Sequence, residues 1–121
     1  MALALNLTNL DFQQARIKQV LFKSRLRSVL YGVREVEPEL FARSANPVGQ
    51  WLDAVVKPKY GARPEVPQLD AALLRLLDTG RELVRLYQRG QIEQARAGLE
   101  QINAQAAHID ALLQALEREV V

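Results

Sequence analysis

Cysteine is absent from this chain of 121 residues, and histidine occurs once, as His108. Without thiols there is no disulfide, no thiolate nucleophile and no Cys-built zinc or iron–sulfur centre. With one imidazole there is no paired-His metal motif, and no Ser–His–Asp site unless His108 is its base. Aromatic residues are scarce at 6%, so a core has to be assembled from Leu, Ile, Val and Ala. No apolar run approaches the ~18 residues that a membrane span needs. The opening stretch Met1–Leu10 is apolar but has no basic start and no small-residue cleavage site, so no signal peptide is expected and the cytoplasm is the expected compartment. Neither sign of charge dominates, since 16 basic and 14 acidic residues leave +2. There is no Gly-rich phosphate loop and no pair of acids where a cleft is foreseeable. Nothing argues for catalysis, and the chain is read as a non-enzyme without a cofactor.

What is present is helical periodicity. Hydrophobic residues at 49% and charged residues at 25% are the balance of a folded globular domain, and the length suits one domain. Residues 1–9 read as a leader, with Thr8 or Asn9 as a helix cap and Asp11 in the first turn. Phe12, Ala15, Gln19, Phe22, Leu26, Val29 and Val33 then recur at three- and four-residue intervals, one face of a helix ending near Gly32. A loop comes next around Pro38, with one helical turn expected at Glu39–Ala42. Asn46 and Pro47 form a cap and first turn for a short helix to about Val56. Pro58, Gly61, Pro64 and Pro67 predict an extended loop. Pro67 opens a third helix to about Arg89, with Leu69, Leu73, Leu76, Gly80, Leu83 and Tyr87 inward. Gly80 inside it implies a close neighbour. After Gly90-Gln91, a fourth helix carries Ile92, Ala95, Leu99, Ile102, Ala106, Ile109, Leu113, Leu116 and Val120 at bundle spacing. So short a loop makes helices three and four antiparallel neighbours. The expected fold is all-α: an up-and-down four-helix bundle with a short second helix, over residues 10–121.

Several residues resemble a known family. The stretch Val48-Gly49-Gln50-Trp51-Leu52 is similar to the Cys-x-Phe/Leu-Gly-Lys/Arg-Trp-Leu block of the chemoreceptor zinc-binding domain. That domain is a bacterial cytoplasmic four-helix bundle found on chemoreceptors and some diguanylate cyclases. Gly80-Arg81-Glu82-Leu83 resembles the stretch just after the family's His-x-x-x-His pair, Ile17 to Gly32 its first helix, and Lys57–Pro67 its linker. The likeness covers about residues 10–118. In that family three His and one Cys hold zinc. Carried over, those ligands fall on Gln19, Asn46, Leu73 and Leu77, and all four are replaced. Zinc takes thiolate, imidazole or carboxylate donors, so the resemblance implies a bundle that has lost its metal. Leu73 and Leu77, one turn apart, are expected to fill the site with methyl groups. Gln19 and Asn46 are expected to hydrogen-bond each other across the remaining gap. Gly49, Trp51 and Gly80 are then packing positions.

The remaining features have ordinary readings. His108 reads as a boundary or solvated residue, Trp51 as a packing anchor, and Glu35, Glu37 and Glu39 as a solvated acidic loop. The first helix is read as basic (Arg16, Lys18, Lys23, Arg25, Arg27, Arg34) and the fourth as acidic (Glu93, Glu100, Asp110, Glu117, Glu119). No recognition motif or interleaved exposed aromatics accompany the basic face, so nucleic acid is not expected. Complementary charge between helices or subunits and a plain solvated surface both remain open. Ile17, Val20, Leu21 and Leu30 cannot all face one narrow interior, and the surplus suits a symmetric dimer. The expected function is sensory or signal-transducing, through protein contact as a homodimer or with a chemoreceptor, kinase or cyclase. The alternative is a bundle holding a small molecule near Gln19 and Asn46.

Overall fold

Thr8 starts the first helix. Its Oγ1 accepts from the Asp11 N–H, and the Asp11 carboxylate accepts from the Thr8 N–H at 2.8 Å, a reciprocal cap that satisfies two otherwise unpaired donors. The computed structural model describes residues 7–121. Of the leader expected over 1–9, residues 1–6 lie outside the described residues. Leu7 is buried with the core and Thr8 is the cap, so these two belong to the bundle.

Helix α1 spans Asn9–Leu30. It ends at Gly32, whose φ of +74° lets the Val33 N–H turn back to the Ser28 carbonyl at 2.9 Å. Val33 is therefore past the helix and 80% exposed, not on its inner face as the periodicity predicts. Two 3-10 turns, Pro38–Phe41 and Arg43–Ala45, lead to α2, Pro47–Trp51. The chain does not become extended at Pro58. It passes through a π turn at Leu52–Val56, in which the Lys57 N–H reaches the Leu52 carbonyl, and continues as α3, Lys57–Tyr60. Proline cannot supply the ordinary helical bond. The widened turn just before Pro58 lets the helix continue past it. Helix α4 spans Glu65–Gln88. Pro67 lies in its first turn, where a missing N–H leaves no helical bond unmade.

Gly90, with φ of +85°, reverses the chain. The fourth expected helix is broken in two. Helix α5 is Ile92–Ala97 and α6 is Leu99–Val120, with Gly98 at the joint. A Cβ on Gly98 would run into Leu83, so the chain lies tight against α4 at the joint. Ile92, ahead of the joint, is 39% exposed and not an inner residue.

Counting α2–π–α3 as the short second helix and α5–α6 as the fourth, the fold is an all-α four-helix bundle. Among the described residues there is no strand, and no helix is long and apolar enough to cross a membrane. Helices α1 and α4 run parallel: Leu26 lies beside Gly80, and Gly32 beside Tyr87. Helix α6 runs against both, with Arg16 bonded to Glu117 and Gln105 to Thr79. The core is one cluster drawn from all four helices, with Phe12, Leu26, Leu52, Leu73, Ile109 and Leu113 at its centre.

Candidate functional site

The four positions that the family resemblance singles out lie in the interior. Leu73 and Leu77 are each 1% exposed, Gln19 is 3% and Asn46 6% exposed. Leu26 packs beside Gly80. One heptad earlier on each parallel helix are Gln19 and Leu73, which therefore share a level of the bundle. The hydrogen bond expected between Gln19 and Asn46 is not formed. Gln19 Nε2 donates across to α6, to Asp110 Oδ1 at 2.9 Å. Asn46 Oδ1 accepts from the Val48 and Gly49 N–H groups at 2.9 and 3.1 Å, capping its own helix. Local capping is entropically cheap for Asn ahead of Pro47, and Asp110 is the stronger, charged acceptor for Gln19. Gln19 Oε1 is left buried without a partner.

This donor set does not fit zinc. Leu73 and Leu77 have no donor atoms, and Asn46 Oδ1 is committed to two backbone amides. One neutral amide oxygen, Gln19 Oε1, remains, and it is a poor zinc ligand by itself. Among the described residues no three His, Asp or Glu side chains converge in a way that would hold a metal ion.

The packing positions have definite neighbours. Trp51 meets Phe12 edge to face, ring centroids 5.4 Å apart and planes at 84°, tying α2 to the start of α1. A Cβ on Gly80 would come within 2.9 Å of Phe41 Cε1. The close neighbour implied by this glycine is the 3-10 connector as well as α1. Gly49 lies under Arg43, and a Cβ there would run into the guanidinium and lie 2.8 Å from the Arg43 carbonyl oxygen.

Arg43 leads to a cluster that sequence reasoning missed. Its Nε donates to Asp70 Oδ1 at 2.8 Å, and its Nη1 and Nη2 grip both oxygens of Asp53 at 3.1 and 2.9 Å. Lys57 Nζ lies 3.0 Å from both carboxylates. Two cations and two anions thus clamp the connector, the π turn, α3 and α4. Burial opposes the charged form of Asp70, but the Lys57 and Arg43 donors outweigh it and hold the carboxyl below its ordinary value. Arg43 and Lys57 donors hold Asp53 below its ordinary value too, and Asp70 and Asp53 push Lys57 up. Burial likewise opposes the Arg43 charge, and its two carboxylate partners more than restore it. The Asp53–Lys57 spacing of four was legible in the sequence. Arg43 and Asp70, distant in sequence, were not. The cluster is self-neutralised, each charge paired with two others within it.

On the outside of α1, Ile17 and Val20 are each 58% exposed and Leu21 52%. Leu30, expected with them, is not on this surface. It is fully buried, and the Arg96 Nε–H bonds its carbonyl at 2.8 Å, so α5 closes over the end of α1. Charge does pair across α1 and α6 at one point, Arg16 with Glu117 at 2.7 Å. His108 is exposed. Glu35, Glu37 and Glu39 share a cleft of about 80 Å³ with Arg25 and Arg34, whose cations oppose any metal there. No family model, curated protein or solved structure matches this chain.

Proposed function

We propose that this chain is a non-enzymatic bacterial sensory or signal-transduction domain, cytoplasmic, and a relative of the chemoreceptor zinc-binding bundle that works without the metal. It acts through protein contact, as a homodimer or against a chemoreceptor, kinase or cyclase. One observation carries the reading. Leucine side chains fill the level of the bundle where that family grips zinc, while large aliphatic side chains on α1 stay uncovered. A packed interior leaves surface contact as the means of signalling, and Ile17, Val20 and Leu21 offer apolar area on α1 to bury.

Light scattering on chelator-washed protein, combined with metal analysis, tests this. A dimer without stoichiometric zinc is expected, converted to a folded monomer by Ile17→Glu. Stoichiometric zinc overturns it, and a monomer at every concentration removes the homodimer from it. A second reading, a small molecule held between the helices near Gln19 and Asn46, is favoured by the unpartnered Gln19 Oε1. It requires a ligand that raises the melting temperature and loses that effect in Gln19→Leu.

A further inference from the structure

Helices α1 and α6 leave an open seam between them. Beside the C-terminal half of α1 it is a cleft of about 240 Å³ floored by Val20, Leu99 and Ile102 and rimmed by Lys23 and Arg27. Arg96 adjoins this end: its guanidinium and that of Arg27 both lie over the Tyr31 ring, 4.2 and 5.1 Å from the centroid. Among the described residues, none of these three cations has a carboxylate partner, and the bond that Arg96 makes goes to the Leu30 carbonyl. A separate cleft of about 640 Å³ lies farther along, between Arg16 and the small residues Ala107 and Ala111. There Arg16 is matched by Glu117 and Asp110 accepts from Gln19. The first cleft thus presents cations without carboxylate partners beside an apolar floor, whereas the polar groups of the second are already engaged.

We propose that this seam docks an acidic amphipathic helix of a partner protein, with its carboxylates at the Lys23, Arg27 and Arg96 end. The inference rests on the reading of the chain as a protein-contact domain and gives the partner its chemistry. So open a seam cannot enclose a small ligand as binding pockets do, whereas a helix laid lengthwise covers the floor with one apolar face. From Arg16 to Arg27 is about 16 Å of helix, three turns for the partner to match. Unpaired cations select acidic flanks and fix the direction in which the helix lies. A second copy offering its own α1 brings one carboxylate, Asp11, which already serves the Thr8 cap.

The test uses the full chain, labelled with ¹⁵N, and a synthetic end-blocked peptide of four helical turns with leucines at i, i+3, i+4 and i+7 and glutamates beside them. Amide shifts are expected at Val20, Ser24 and Asn103. Affinity should fall at least tenfold in the double variant Lys23→Glu with Arg27→Glu, and equally when the peptide's glutamates become glutamines. Arg75→Glu, at an exposed site on α4, should leave it unchanged. No shifts, or shifts indifferent to the double variant, overturn the inference. So does a dimer that the double variant dissociates, because a second copy then fills the seam while the protein-contact reading survives. A monomer that binds the peptide keeps this inference and removes the homodimer instead.

Discussion

At the scale of single residues, Arg43 and Asp70 carry more than their sequence positions suggest. One guanidinium holds two carboxylates, and one ammonium holds the same two, so the network ties the connector, the π turn, α3 and α4 together. Exposed pairs contribute about 0–1 kcal/mol each, and a network with bidentate geometry is the case in which they matter. Because Asp70 and Asp53 titrate below their ordinary values in the folded chain, their contribution is complete above the unfolded carboxylate value. It is lost as pH falls through the depressed folded value. Lys57 is raised, so its contribution is complete below the unfolded ammonium value and is lost as pH rises through the folded one. Melting temperature should therefore be flat between roughly pH 5 and 9 and drop in acid. Asp70→Asn should lower the plateau and shrink the acid drop, as read from circular-dichroism melts across pH. An unchanged acid limb in that variant would remove the network from the account.

At the scale of elements, Gly80 shows how a helix gives up its own preference to a neighbour. Alanine is worth about 1 kcal/mol more than glycine inside a helix. Yet a Cβ there would meet Phe41 at 2.9 Å and Leu26 at 3.4 Å. Overpacking of this kind costs about 1–3 kcal/mol, so Gly80→Ala should destabilise by about 1 kcal/mol net, measured by urea unfolding. Phe41→Leu in the same chain should recover part of the loss, since the shorter side chain frees the contact. The long elements were legible because periodic burial and strong caps act within a few residues of each other, as at Thr8, Asn46 and Gly90. Their interruptions were not. The π turn carries the helix past Pro58, a residue that in the sequence reads only as a break, and the joint at Gly98 answers to the packing of a distant residue, Leu83. Leu30 was misplaced for the same reason. An apolar residue at a helix end has no inside or outside until α5 and Arg96 arrive over it.

At the scale of the whole molecule, the interior is one apolar, mainly aliphatic cluster with two amides at its margin. Leu73→Ala should cost about 3–5 kcal/mol, because a fully buried leucine leaves a cavity that surrounding helices only partly fill. Calorimetry would register it. Chelator should leave the melting temperature of the native chain unchanged, because cohesion here is apolar contact; a drop on chelation would show a bound metal. Sequence alone set the helical class, the positions of the long and short elements, and the apolar character of Leu73 and Leu77. Those come from side-chain chemistry and from periodicities that repeat within one turn. It took the packed bundle to turn Gln19 to Asp110 instead of Asn46, to gather Asp53, Lys57 and Asp70 around Arg43, and to bury Leu30 while Ile17, Val20 and Leu21 stay out. A hydrogen bond or ion pair between residues far apart in the chain depends on which helices become neighbours and at what level. That is a property of the whole core and not of any one stretch of it.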